Sequence, residues 1–402
     1  LDREKADSLI ITNPDSVCWL LNIRASDIEF SPLLLANVIV ESNKVYLFAD
    51  KTRMDAEVLK AREDIVILPK EKFEEIILGL EGLIIYDQNY SSLHLLDLIK
   101  DKETKHLDNP CILWKACKNK TEIEYMIQGH IQDAVAVCEF LSFLTSSDVS
   151  QYTEYDIGQL LTDYRKKRLG YVVDSFPSIC GYQENGAVIH YRAKQDSKKL
   201  AGEGLLLIDS GGQYLGATTD ITRTISIGKP TQEHREFYTR VLKGHIALAR
   251  AVFPADSVTG ANLDVLARQY LWHEGVDYMH GTGHGVGSFL SVHEGPCSIS
   301  LSAYGSVLKS GMVLSNEPGY YVPGEYGIRI ENLMYISNAK VANFLQFNML
   351  TMAPYAKDLI VQGMLNTQEM KYIQTYNKNI LNKVGPLLSD KAKTWLENEV
   401  IL

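Results

Sequence analysis

Leu205-Leu206-Leu207-Ile208-Asp209-Ser210, then Gly211-Gly212-Gln213-Tyr214-Leu215-Gly216, then Ala217-Thr218-Thr219-Asp220-Ile221-Thr222: an apolar run, a glycine-rich break and a Thr/Ile-rich run spell a β-hairpin. A turn centred between Tyr214 and Leu215 sets Asp209 opposite Asp220 across the ladder. Directly opposed residues hold their Cβ atoms about 4.5–5.5 Å apart, and like charges there are destabilising. The device returns further on. Glu317-Pro318-Gly319 and Ile328-Arg329-Ile330-Glu331 flank Pro323-Gly324, and a turn at Gly324 sets Glu317 opposite Glu331. Carboxylate pairs held this close call for a positive charge between them, so the sequence predicts a metal centre.

Helical patterns precede each hairpin. Thr121-Glu122-Ile123-Glu124 reads as a capping box that opens a helix reaching about residue 146, and a second helix spans about 154–168. Strands are expected at 176–182 and 188–191, leading into the Asp hairpin. Helices at about 232–251 and 261–274 precede the Glu hairpin, and helical stretches at about 368–380 and 388–398 finish the chain. Helix, helix, hairpin therefore occurs twice, which suggests an internal duplication. Residues 1–114 differ: short apolar strands at 8–12, 34–40, 44–48, 65–68 and 82–87 alternate with helices at 51–62, 72–79 and 93–100, an α/β pattern. No glycine-rich phosphate loop opens any of these helices, which argues against a nucleotide site. The polar stretch Asn22-Ile23-Arg24-Ala25-Ser26-Asp27 fits either a solvated turn or an interdomain role. The expected division is an α/β domain at 1–114 and a larger catalytic domain at 115–402.

Oxygen ligands suit hard cations, and imidazole draws the preference toward Mn, Fe, Co or Zn. Four carboxylates and one histidine exceed what one tetrahedral zinc needs, and HExxH is absent; two adjacent metals would use all five. The histidine candidates lie in His280-Gly281-Thr282-Gly283-His284-Gly285-Val286-Gly287. Four glycines in those eight residues disfavour a helix at about 1 kcal/mol each. They suggest instead a backbone that approaches a ligand or takes positive φ. His190 and His293 are further imidazoles beside apolar strands, where a packed core histidine is the plainer reading. His94, His106, His130, His234, His245 and His273 lack such context and read as structural or exposed. An aspartic dyad fits only Asp209-Ser210-Gly211, a two-carboxylate glycosidase leaves two carboxylates unused, and a Gly-x-Ser-x-Gly elbow is missing.

The 402 residues carry 46% hydrophobic and 22% charged side chains, ordinary values for a globular protein. A formal net charge of −10 argues against nucleic-acid and anionic-membrane partners, and no apolar run approaches the roughly 18 residues of a membrane span. The charged start, Leu1-Asp2-Arg3-Glu4-Lys5, lacks a signal-peptide core and an initiator Met, which fits a fragment or a processed form. Six scattered cysteines without a CxxC pair read as reduced thiols, hence a cytoplasmic expectation. The glycosylation-like spellings at Asn89 and Asn119 are then chance matches.

These residues resemble the pita-bread metallopeptidase family of methionine aminopeptidase, prolidase and Xaa-Pro aminopeptidase, and within it the cytosolic three-domain branch of Xaa-Pro aminopeptidase (aminopeptidase P). The resemblance rests on 22–27, Ile189-His190-Tyr191, Ile208-Asp209-Ser210-Gly211, 218–224, 280–296, Asn316-Glu317-Pro318-Gly319-Tyr320-Tyr321 and Gly327-Ile328-Arg329-Ile330-Glu331-Asn332, in that order. It implies an α+β chain: a C-terminal pita-bread domain preceded by a smaller creatinase-N-terminal-like α/β domain. By resemblance, Asp209 binds one metal, Asp220 and Glu331 bridge two, and His284 and Glu317 bind the second. The expected cofactor is a pair of divalent ions, manganese in this family. A bridging water or hydroxide attacks the carbonyl before proline, with Glu317 as proton acceptor. His293 steadies the tetrahedral intermediate and His190 contacts the substrate. His280, Tyr321 and Arg329 line the proline pocket. The implied substrates are peptides with proline second, and a homodimer is expected from the family. The alternatives are a prolidase confined to X–Pro dipeptides and a pita-bread scaffold kept for binding. Ala25 stands where the family has Gly, Asn316 replaces a frequent Asp, and three-domain relatives carry another α/β domain upstream of residue 1.

Overall fold

A computed structural model describes residues 1–302 and 306–401. It forms two compact units, Leu1–Lys115 and Ala116–Leu402.

In the first unit, alternation in the strands sends successive side chains to opposite faces of one sheet. Val38 and Leu47 join Val17 and Leu21 on one side, while Ile39 and Phe48 meet Ile77 and Leu95 on the other. Both faces are thus covered by helices, as in an α/β layer. The sheet runs, in spatial order, Val66–Leu68, Val45–Phe48, Asn37–Glu41, Ser8–Ile11, Ile84–Tyr86, Thr104–His106. Its last strand is exposed and polar along its length, which hid it from an apolar reading. The helix Pro14–Leu21 was also unforeseen, although Asn13 caps it and Pro14 opens it, a combination suited to a first turn. The single helix expected over 51–62 is instead a 3₁₀ turn Lys51–Arg53 and a helix Ala56–Ala61. In the 22–27 stretch, Arg24 donates to the Cys18 and Ile23 carbonyls, and Asp27 accepts the Leu35 amide.

The second unit opens on the helix Lys120–Ser146, two residues ahead of the expected box. Asn119, not Thr121, caps it, with Glu122 reaching back to the cap amide. The helix Glu154–Arg165 and the strand Ile179–Tyr182 follow. No strand forms at 188–191; a 3₁₀ turn, Gln183–Ala187, and an irregular segment take its place. The hairpin is there, split between two sheets: Gly204–Ser210 pairs with Ile221–Ile227, and Gly212–Tyr214 with Ala217–Thr218. Its register differs from the expected one. Tyr214 faces Ala217 and Ser210 faces Ile221, so the turn centres on Leu215 and Gly216, and Asp209 lies opposite Thr222 instead of Asp220. Gly216 decides this, because it takes the left-handed backbone at φ 84° that Tyr214 and Leu215 do not.

Helices Gln232–Ala249 and Gly260–Trp272 come next. They close on each other at Gly244, where a Cβ would stand 2.0 Å from the Ala267 carbonyl oxygen. A six-stranded sheet then runs Val252–Pro254, Phe344–Met349, Asn332–Asn338, Val313–Asn316, Gly283–Gly285, Glu294–Ile299. The second hairpin keeps the expected register about Gly324: Gly319 pairs with Arg329 and Asn316 with Asn332. Glu317 and Glu331 occupy the gap between these two ladders. Helices Thr367–Lys383 and Asp390–Glu399 close the unit. Among the described residues, no helix is long and apolar enough to cross a membrane, and all six cysteines are free.

Candidate metal centre

Each carboxylate of the predicted set stands where a strand ends or begins. Asp209 is next to last in Gly204–Ser210, Asp220 precedes Ile221–Ile227, Glu317 follows Val313–Asn316, and Glu331 precedes Asn332–Asn338. His284 is the middle of the short strand Gly283–Gly285. A ladder that stops leaves room for side chains to turn inward. All five line one cavity of about 260 Å³. Asp220, His284 and Glu331 each offer a ligand atom within 4.8 Å of the other two. His284 Nε2 lies 3.5 Å from Asp220 Oδ2 and 3.5 Å from Glu317 Oε1. Its Nδ1 is 3.0 Å from the Gly285 carbonyl oxygen. A carbonyl can only accept, so Nδ1 carries a proton there and Nε2 is the ring nitrogen turned to the carboxylates.

Three of the four carboxylates have one oxygen held by a donor. Thr222 Oγ1 donates to Glu331 Oε2 at 2.8 Å, Ser315 Oγ to Glu317 Oε1 at 3.0 Å, and Arg329 to Asp209 Oδ2 at 2.7 Å. Asp209 Oδ1, Asp220 Oδ1 and Glu331 Oε1 are buried with no hydrogen-bond donor among the described residues. Burial, then the neighbouring carboxylates, pushes Asp220 and Glu331 well above the ordinary carboxylate range. Burial also raises Glu317, against the pull of His284 and Arg329. Buried anionic oxygens without donors are costly unless a cation meets them. The donor set, mostly carboxylate with one correctly oriented imidazole, fits a pair of hard divalent cations.

His190, His293 and Arg329 line the same cavity. The His284 and His293 rings meet edge to face at 4.2 Å. Burial and the His284 ring push His293 down to about 4, so it is neutral at neutral pH. His280 and Tyr321 do not line the cavity but join it through Arg329. Tyr321 accepts from Arg329 at 2.9 Å, and His280 Nε2 is 2.8 Å from the Tyr321 hydroxyl. The Gly281 carbonyl engages His280 Nδ1 at 2.7 Å, so Nε2 accepts the Tyr321 proton.

Residues 124–338 match the model of metallopeptidase family M24. The chain belongs to that family. Residues 1–122 match the creatinase/prolidase N-terminal domain and 343–401 the C-terminal region of peptidase M24. A creatinase-type N-terminal domain thus precedes an M24 pita-bread domain. Xaa-Pro aminopeptidase 1 of Dictyostelium discoideum is 40% identical, over 100% of this chain and 66% of its own. Xaa-Pro aminopeptidase ApepP of Drosophila melanogaster is 36% identical over 100% and 69%. Among solved structures, the X-prolyl aminopeptidase of Caenorhabditis elegans, described as a cytosolic enzyme with a di-nuclear active site, aligns with a TM-score of 0.94 at 32% identity, over 100% of this chain and 69% of that one. Prolidase from Pyrococcus furiosus aligns at 0.69 and 27% identity, over 87% and 97%. The chain spans about two thirds of the length of the curated relatives it matches first.

Within this M24 frame, the supporting role of Arg223 escaped the sequence reading. Arg223 is 2% exposed. Its guanidinium donates to the carbonyls of Thr222, Glu331, Ala353 and Pro354 and to the Asn332 side chain, at 2.7–2.9 Å. It thereby ties the Asp220 strand to the backbone of Glu331. A charged residue inside the otherwise apolar and Thr-rich 221–225 run was the available signal. The glycines around His284 also differ from expectation. Gly283 and Gly285 do not take positive φ, and what they admit is neighbouring backbone. A Cβ on Gly283 would stand 2.1 Å from the Ser315 carbonyl oxygen. Gly283→Ala is expected to push His284 out of place and lower metal affinity by about 10–100-fold, the usual cost of disturbing a ligand's support; titration of metal-stripped protein with Mn measures it.

Proposed function

We propose that this chain carries a metal-dependent aminopeptidase that hydrolyses the bond between an N-terminal residue and a following proline. The observation that carries this reading is the convergence of Asp209, Asp220, His284, Glu317 and Glu331 on one cavity in which buried carboxylate oxygens lack donors. Relatives named as Xaa-Pro aminopeptidases, similar over the whole of this chain, support the choice of substrate. The catalytic domain of the proposal is 115–402 and the preceding domain 1–114.

In this reading Asp209, Asp220 and Glu331, with His284 and Glu317, hold two divalent ions, Mn by preference. Such a pair supplies a Lewis acid for the scissile carbonyl and an activated water. The protein groups do the rest. Glu317, beside the position the pair would take, takes the proton of the attacking water and passes it on. Neutral His293 donates to the oxygen that gains charge, and His190 contacts the substrate beside the scissile bond. Arg329, held by Asp209 and Tyr321, with Tyr321 and His280, shapes the proline end. An X–Pro bond has no N–H, so peptidases that grip the extended backbone lose a contact there and a dedicated pocket is needed. A cytoplasmic homodimer completes the proposal.

The likeness to a prolidase favours a second reading, action on X–Pro dipeptides alone. Assaying an X–Pro dipeptide beside an X–Pro–Pro tripeptide separates the two. Turnover of the tripeptide is expected; cleavage confined to the dipeptide would make the chain a prolidase. Metal analysis after Mn reloading is expected to give two ions per chain, whereas less than one would favour a non-catalytic scaffold.

A further inference from the structure

Four consecutive residues, Ile189, His190, Tyr191 and Arg192, line one wall of the metal cavity. They belong to no helix or strand. Irregular backbone of this kind is held by individual bonds, and its position is only as fixed as they are. His190 supplies none of them: its ring makes no hydrogen bond among the described residues and it is exposed. What holds the imidazole over the carboxylates must therefore act through its neighbours.

The bonds converge on Glu154, the first residue of the helix Glu154–Arg165 and itself 0% exposed. Its Oε1 accepts the Tyr182 amide at 2.7 Å and the Asn185 side-chain amide at 2.9 Å. Its Oε2 accepts Asn185 again at 3.0 Å and the Tyr191 hydroxyl at 2.7 Å. These donors stand before, within and after the turn that leads to His190. The same helix start grips the far end of the segment, where the Glu154 amide donates to the Lys198 carbonyl at 2.9 Å and Leu200 N–H to the Tyr152 carbonyl at 3.0 Å. Among the described residues no cation pairs with Glu154. Its charge is met by neutral donors and by the helix N-terminus, a site that favours an anion. A buried carboxylate bound this way is expensive to lose and cannot shift to an alternative partner, which suits a fixed strut.

We propose that Glu154 is a positioning residue: it anchors the 188–192 wall and thereby sets the His190 imidazole against the metal cavity. The inference rests on the reading of His190 as a substrate-contacting group. Glu154 touches neither substrate nor metal; it acts through Tyr191 and Asn185. Burial keeps the Tyr191 phenol above its ordinary value, so the hydroxyl remains the donor of this bond throughout the working range.

The test is a double-mutant cycle on the Mn-loaded protein, with hydrogen exchange of the same variants. Tyr191→Phe removes the hydroxyl with its contacts to Glu154, Asn185 and Ser197 and leaves Glu154 its other donors. It is expected to lower kcat for an X–Pro–Pro tripeptide about tenfold with KM within about twofold, as a small misplacement of a reacting group does. Metal content should stay unchanged. In a His190→Ala background the same change is expected to cost less than about twofold, because there is no imidazole left to misplace. Glu154→Gln, which keeps an acceptor but offers an amide toward Tyr191, should show the same coupling. Amides across 188–198 should exchange faster in both variants while the helix 120–146 stays protected. Equal cost in both backgrounds would mean that Tyr191 or Glu154 acts independently of His190 and would overturn the proposal. Unchanged exchange across 188–198 would overturn it too. An inactive wild type would instead overturn the peptidase reading, and the exchange measurement would still decide the anchor.

Discussion

Asp220→Asn is expected to lower kcat/KM for an X–Pro–Pro tripeptide by at least about 10³-fold, the scale of losing a group the transition state depends on, and to leave the chain with fewer than two Mn ions. The same substitution should stabilise the metal-free protein. Asp220 is buried beside Asp209 and Glu317, and its carboxyl is raised well above the ordinary range. An acid with a raised folded-state pKa binds its proton more tightly folded than unfolded, so stability falls as pH rises from about 4, the unfolded carboxylate value, through the folded one. Asparagine removes that loss. The melting temperature of the variant, measured in chelator, should therefore exceed wild type by about 3 °C or more at pH 8, with the gap closing toward pH 4. Mn should reverse the order, since wild type gains binding energy that the variant lacks. A variant that keeps two ions and near-normal turnover would sink the assignment of Asp220 as a ligand.

Arg223→Met should have the largest effect on stability. The guanidinium serves four carbonyls and the Asn332 side chain from a position 2% exposed. Methionine fills part of the volume but leaves acceptors bare, each costing about 1–3 kcal/mol. Some of these acceptors have other donors: the Glu331 amide reaches the Thr222 carbonyl and the Tyr376 hydroxyl the Ala353 carbonyl. A net loss of about 4 kcal/mol is therefore expected, lowering the melting point of the second unit by roughly 10 °C. Because Arg223 also holds the Glu331 backbone, metal affinity should fall with it. Melting within about 2 °C of wild type would mean the network repacks around the missing group.

What could be read in the sequence was local. Gly324 fixed the register of the second hairpin, and that register holds. In the first, the rule was sound but the turn was centred one residue early, since the break offers several glycines and only the backbone reveals that Gly216 takes the left-handed position. The strand expected at 188–191 failed for a longer-range reason: Val188 and Ile189 are strand-like, yet Tyr191 is drawn to a carboxylate on the helix Glu154–Arg165. Arg223 was hidden by distance in the chain, its partners Ala353 and Pro354 lying beyond any pattern a window of residues can display. Thr104–His106 carries no apolar signal at all, being added to the sheet edge by backbone pairing alone.

Arg329 has a consequence for which small molecules the cavity admits. It is a permanent cation, buried and committed to Asp209 and Tyr321. Burial holds Asp220, Glu317 and Glu331 above the ordinary carboxylate range, so four carboxyls against this one buried guanidinium turn the metal-free cavity negative only as pH rises and they ionise, and it then repels anions. Two divalent ions carry enough charge to invert that sign. The loaded cavity then attracts anions, and phosphate or citrate in the buffer becomes a competitor of the peptide whose potency reports how many cations are in place.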